Sequence, residues 1–169
     1  PRAFDVVVVD ALYAVSDFFN FLLGHKKDII AVLKNEQRDL FQHAVQFFAQ
    51  ESPVAEYTNG QTKLKVWDGL GFVSWPQVNQ RVRVVATKET TRITRQLNGK
   101  TETLKSSWMW VTTLSPVRAN AKVVVELGHS RWKIENQGFN ELVNHWHSDH
   151  VYKHSAEAIL NFWLLTMLA

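Results

Sequence analysis

Cysteine is absent from the 169 residues, which excludes disulfide bridges and thiolate metal ligands and fits a reducing compartment. No stretch reaches the roughly 20 apolar residues that a bilayer requires. The longest apolar run near an end, residues 158–169, is interrupted by Asn161 and reads as a core helix, so no membrane role is expected. A secretory leader is missing too, and the expected location is the cytoplasm. There is no internal repeat or low-complexity tract. Nor is there a strong charge imbalance: the formal net charge is +3, a weak pull toward anionic partners when spread over the whole chain.

What is present is the composition of a globular domain, 46% hydrophobic and 21% charged, with enough length to bury one core. The sequence opens at Pro1, almost directly in a strand, and stops inside an apolar helix. Both ends therefore read as cuts through a larger protein.

Residues 4–9 end in four consecutive valines without polar alternation, the pattern of a strand covered on both faces, and the run stops at Asp10. A helical pattern follows, with Ser16 or Asp17 available as cap, Phe18, Phe19, Leu22 and Leu23 apolar, and Gly24 as the stop. Residues 29–33 make a second buried strand. Strand, helix and strand in this span form a βαβ unit with parallel strands. Residues 37–50 predict another helix, ended by Pro53.

From about residue 58 to 114 the texture changes to short alternating segments punctuated by Gly69, Gly71, Pro76 and Asn98-Gly99, which is a β region with a hairpin turn at Asn98-Gly99. Beyond Pro116 the helical period returns, with a helix over 117–127, a break at Gly128, a long helix over 130–146 and a last one from Ser155. The expected divisions are an α/β core part (1–57), an inserted β region (58–114) and a C-terminal helical part of the core (115–169).

Asp10 stands at the carboxyl end of a buried strand, the edge of an open α/β sheet where ligands bind. The plainer alternative is an Asp that caps the following turn. Glu135 falls within the helical stripe of Trp132, Phe139, Leu142, Val143 and Trp146. A carboxylate on a buried face needs a metal or a partner. Arg131, four residues earlier, offers an ordinary ion pair instead.

Residues 81–105 hold Arg81, Arg83, Lys88, Arg92, Arg95, Lys100 and Lys105 against Glu89 and Glu102. On strands this stripe would track phosphates, with Trp75, Trp108 or Trp110 for packing or stacking. A solvated strand face would read the same way. His145, His147, His150 and His154 lack the spacing of a zinc site and suit a hydrated loop that touches phosphate when protonated.

The segment Val6 to Tyr13, the strand end Val32-Leu33-Lys34 and Arg131-Trp132-Lys133-Ile134-Glu135-Asn136 together resemble insertion-sequence DDE transposases, over essentially the whole chain. That resemblance implies an α/β fold, a ribonuclease-H-like mixed sheet with flanking helices, interrupted by an inserted β-rich region. In the family a second Asp stands in an Asp-x-x-Tyr context and a Glu in a Tyr-x2-Arg-x3-Glu-x6-Lys signature. Asp10 matches that Asp, and Glu135 that Glu. The signature's Tyr falls on Gly128 and its Lys on Leu142.

No segment before Val6 is left for the family's first Asp, and Asp68 comes too late in the chain to replace it. The resemblance implies that Asp10 and Glu135 are the catalytic and Mg²⁺-binding (or Mn²⁺-binding) residues, and that Arg131 contacts DNA together with Arg81, Arg83, Arg92, Arg95 and Lys100. It implies double-stranded DNA at transposon ends as substrate, a homo-oligomer in the intact protein, a bacterial, nucleoid-associated location, and little activity from residues 1–169 alone. A non-catalytic DNA-binding remnant of a transposase is the alternative, and a ribonuclease-H-like nuclease a third reading.

Overall fold

The computed structural model describes residues 4–94, 101–147 and 155–168, excluding the side chains at 134, 135, 146 and 166–168. The chain divides into two compact units, Pro1–Gly128 and His129–Ala169.

In the first unit the four valines form β1 (Val6–Val9), helix α1 (Ser16–Gly24) crosses over, and β2 (Asp28–Val32) returns parallel to β1, with Val6 opposite Asp28 and Val9 opposite Ala31. The βαβ expectation holds. β2 is buried along its length, whereas β1 is half-buried because it lies at the end of the strand order. Neither Ser16 nor Asp17 caps α1. Val15 holds the cap position without a side-chain bond, and Asp17 lies in the first turn, where its charge complements the helix dipole. A 3-10 turn (Asn35–Gln37) leads into α2 (Arg38–Gln50), which buries Leu40 and Ala44.

The β-rich segment extends this same sheet. Strands β3 (Ala55–Asn59), β4 (Thr62–Phe72), β5 (Val82–Thr94) and β6 (Thr101–Thr112) are antiparallel to their neighbours, and β6 pairs with β2. The result is a six-stranded mixed sheet in the order β1-β2-β6-β5-β4-β3. The expected hairpin is the β5–β6 pair, in register from Arg83 opposite Thr112 to Thr94 opposite Thr101. Its connection, with Asn98-Gly99, lies outside the described residues.

Helices cover both faces of the proximal sheet. α1 and α2 pack Phe19, Leu22, Leu40 and Ala44 against Ile29, Ala31, Val82, Val84 and Val111. On the other face α3 (Ala121–Ser130) packs Val124 and Val125 against Ile30, Val32, Val66, Val85 and Trp110. Each fully buried Val or Ile contributes about 1.5–3 kcal/mol, so this double cover is what holds the sheet.

Gly128 does not end α3 as expected; it is buried within it. The reason is close approach: a Cβ at Gly128 would stand 2.5 Å from Cε2 of the Trp110 indole. Trp110 is 1% exposed and stacks on Trp108 at 6.2 Å.

Arg83 is 4% exposed inside this unit. Its Nε and Nη2 each donate to the Asp68 carboxylate at 2.8 Å, and Nη1 donates to the carbonyls of Leu114 at 3.2 Å and Ala119 at 2.7 Å. The expectation that Arg83 faces DNA is therefore corrected. Its charge is consumed in tying β4 and β5 to the segment that leads into α3.

In the second unit the long helix expected over 130–146 is interrupted. A π-helical stretch (Ile134–Phe139) precedes α4 (Asn140–Trp146), which ends on His147 in the left-handed region at φ 48°, and α5 spans Ala156–Leu168. No helix among the described residues is long and apolar enough to cross a membrane.

Two predictions follow from this packing. Asp68→Ala strands a buried guanidinium and is expected to cost about 3–5 kcal/mol in urea denaturation, much of it recovered in the double variant Arg83→Met, Asp68→Leu. Tyr57 has its phenol pushed above the ordinary value of 10.0, first by burial and then by the carboxylates of Glu126 and Glu89. Because the folded state then holds the proton more tightly than the unfolded chain, Tyr57 stabilises the fold below about pH 10 and loses that contribution as pH rises through its folded value. Phenolate absorbance in a Tyr13→Phe, Tyr152→Phe background is expected to titrate late, and Glu126→Gln to shift it only part of the way back.

Candidate active site

β1 ends at Val9, and Asp10 opens a single 3-10 turn, Ala11–Tyr13, from an extended backbone at φ −78° and ψ 169°. Its Oδ1 accepts the Ala11 N–H at 2.7 Å, so Asp10 does cap the turn. The same bond fixes the carboxylate's orientation at the carboxyl edge of the sheet. Among the described residues no hydrogen bond is made to Oδ2. Asp10 is thus a half-buried carboxylate with one oxygen held by the backbone, and among the described residues no group of three or more His, Asp or Glu is gathered to hold a metal ion.

The turn ends at Ala14, whose carbonyl accepts Gln37 Nε2 from the loop after β2. Among the described residues Gln37 Oε1 is buried without a hydrogen-bond partner. Beside it a polar recess of about 460 Å³ is lined by Ala14, Gln37, Arg38, Asp39, Ser74 and Gln77. Asp10 and this recess thus lie at opposite ends of one short turn, on the side of an α/β sheet where ligands bind. A second, apolar groove of about 420 Å³ lies between α2 and the sheet, against Phe41, Val45, Phe48, Trp67 and Met109.

Glu135 belongs to the other unit, and its backbone lies in the π-helical stretch. Such widened turns occur frequently at functional sites. They also disrupt the 3.6-residue period, and Trp132, Phe139 and Val143, expected on one buried stripe, are 39%, 52% and 38% exposed. The Arg131 guanidinium lies over the Trp132 ring, 4.4 Å from its centroid. Leu142, at the signature's Lys position, is half-buried on α4. His145 and His147 are exposed, and His150 and His154 lie outside the described residues.

Of the basic stripe, Arg81 is exposed in the turn before β5 and Arg92 is exposed on β5, while Arg95 and Lys100 lie outside the described residues. Pairing register decides which cations share a face. Lys88 is opposite Lys65 on β4 and Ser107 on β6; Thr90 is opposite Lys63 and Lys105; Arg92 is opposite Thr103. Partners across a ladder point the same way, so Lys63, Lys65, Lys88, Arg92 and Lys105 occupy one face, the α1/α2 side. Lys63 and Lys65 were missed by reading the stripe as a linear segment. Their signal was the alternation Lys63-Leu64-Lys65-Val66.

The profile of one protein family, the transposase DDE domain, matches residues 1–169. No curated protein matches the chain. The six-stranded mixed sheet with flanking helices agrees with the ribonuclease-H-like fold that the sequence led us to expect.

The cap and the open oxygen of Asp10 are separable by substitution. Asp10→Asn keeps an acceptor for Ala11 N–H and is expected to leave stability within about 0.5 kcal/mol, whereas Asp10→Ala removes it and costs about 1 kcal/mol, both read by chemical denaturation.

Proposed function

Because the chain belongs to the transposase DDE domain family, we propose that Asp10 and Glu135 are two of the three carboxylates of a DNA strand-transfer site that cuts and joins transposon ends. The observation that carries this reading is Asp10 itself, held by Ala11 N–H at the carboxyl edge of β1 with its second oxygen open. The Arg-x3-Glu spacing of Arg131 and Glu135 supports the assignment of the Glu.

Members of this family generally use divalent metals, and Mg²⁺ or Mn²⁺ is the cofactor proposed here. Asp10 and Glu135 are the residues that would hold such an ion, and it would supply Lewis-acid activation for an in-line displacement at phosphorus. Asp10 contributes an oriented anionic oxygen, and Glu135 is proposed as the second carboxylate. Arg131 offers a guanidinium for a phosphate of the substrate strand. No residue of the chain has to become a covalent nucleophile.

Double-stranded DNA at the transposon end is the proposed substrate, and a homo-oligomer in a bacterial cytoplasm the proposed working form.

The test is nicking and joining of duplexes that carry the element's ends by the intact protein, with Mg²⁺ and with a chelator. Asp10→Ala, Asp10→Asn and Glu135→Ala are each expected to reduce both reactions to background while leaving binding of uncleaved duplex in place. Retained nicking in either Asp10 variant would overturn the assignment. Binding without nicking by the unsubstituted protein would instead favour a DNA-binding remnant that uses the basic β region alone.

A further inference from the structure

The distal half of the β4–β5–β6 ribbon extends past the two core clusters, whose last members on these strands are Leu64, Val85, Trp108 and their neighbours. On one side the core reaches out to Leu64 and Tyr57, over whose ring Lys122 of α3 lies, and on the other Lys88 and Ser107 border the groove beside α2; the two faces differ sharply in charge. The α1/α2 side carries Lys63, Lys65, Lys88, Arg92 and Lys105, interspersed with Thr90, Thr103 and Ser107. Among the described residues its one acid is Glu56, bonded to Lys65 at 2.9 Å. The opposite side carries Glu89 and Glu102 among Leu64, Ile93, Leu104 and Tyr57.

This sorting is not explained by solubility or by edge protection. Lysines guard exposed strand edges against pairing, but β5, which bears Lys88 and Arg92, is an interior strand. Lys65 and Lys88 stand directly opposite each other, a pairing of like charges that costs stability, with Glu56 bonded to Lys65 on its other side. Lys88 leans over the Trp67 ring at 5.3 Å, which leaves its charge at the surface. From Lys88 to Arg92 the face runs about 13 Å along the strand and from β4 to β6 about 10 Å across, enough for several phosphates of one duplex.

Resting on the strand-transfer reading above, we propose that this face tracks the sugar–phosphate backbone of duplex DNA without reading its sequence. Lysines with Thr and Ser hydroxyls position a backbone; the planar side chains that read base edges are limited to Arg92. No aromatic ring is exposed among them as a stacking platform, since Trp67 is 8% exposed beneath Lys88, and this favours a duplex over a single strand. End-sequence recognition then lies outside this face.

Binding of two unrelated duplexes to the full chain, read by fluorescence anisotropy in chelator across a salt series, tests the proposal apart from cleavage. The variant Lys63→Gln, Lys88→Gln, Lys105→Gln is expected to weaken both duplexes alike, by at least about tenfold, and to flatten the slope of log K against log salt by about 2.7. All three side chains are exposed, and an unchanged denaturation midpoint checks that the fold is kept. Glu102→Gln on the opposite face is expected to change neither quantity. An unchanged slope, loss confined to one sequence, tighter binding of single strands, or no duplex binding by the unsubstituted chain would each overturn the proposal. A failure of the strand-transfer reading shows separately, as duplex binding with no Mg²⁺-dependent nicking.

Discussion

A guanidinium stripped of water is destabilising unless its donors find acceptors, and Arg83 meets that demand from two separate pieces of chain. Asp68 on β4 takes two of its bonds, and the carbonyls of Leu114 and Ala119 take the others. Those carbonyls flank the turn between β6 and α3. The pair therefore fixes where α3 begins relative to β4 and β5, and α3 is the element that covers Ile30, Val66 and Val85 on that side of the sheet. The clamp adds directional bonds to the apolar contact between the β-rich segment and the helix after it, and apolar contact alone sets no register.

Continuity of the sheet has a consequence for the candidate site. β2 pairs with β1 on one side and β6 on the other, so the strand that carries Asp10 and the ribbon that carries the cationic face belong to one hydrogen-bonded array. A segment that reads as an insertion is mechanically a lateral extension of the core. Phosphates held on the ribbon would be held relative to β1 by backbone bonds and not by a flexible linker.

Much of this was legible in the residues. The run of valines gave β1, the βαβ unit gave parallel pairing with β2, and the alternation after residue 58 gave the ribbon and its hairpin. Asp10 could be located because a strand end is a one-dimensional feature. What failed to show were properties of pairing and burial. Arg83 looked like its neighbours in the stripe because nothing local distinguishes a buried arginine from an exposed one; its partner Asp68 lies fifteen residues away. Lys63 and Lys65 were overlooked for the converse reason, since only register brings them beside Lys88 and Lys105. The break in the C-terminal helix was invisible as well, because a π-helical stretch keeps helical composition while changing the period.

Gly128 joins these strands of argument. Sequence alone marks it twice, as a helix breaker and as a departure from the Tyr of the family's signature. The buried indole of Trp110 explains both: it lies so close to the Gly128 backbone that even a methyl group would overlap it. With Trp110 in that place, a tyrosine at 128 would have to expel a ring that is 1% exposed and stacked on Trp108. The glycine and the tryptophan are thus one packing solution, and α3 runs on through Gly128 because its loss of helix propensity, about 1 kcal/mol relative to alanine, is smaller than the gain from seating an indole against bare backbone. What the pair provides is an anchor between β6 and α3 that no residue with a Cβ at 128 could supply without moving the indole.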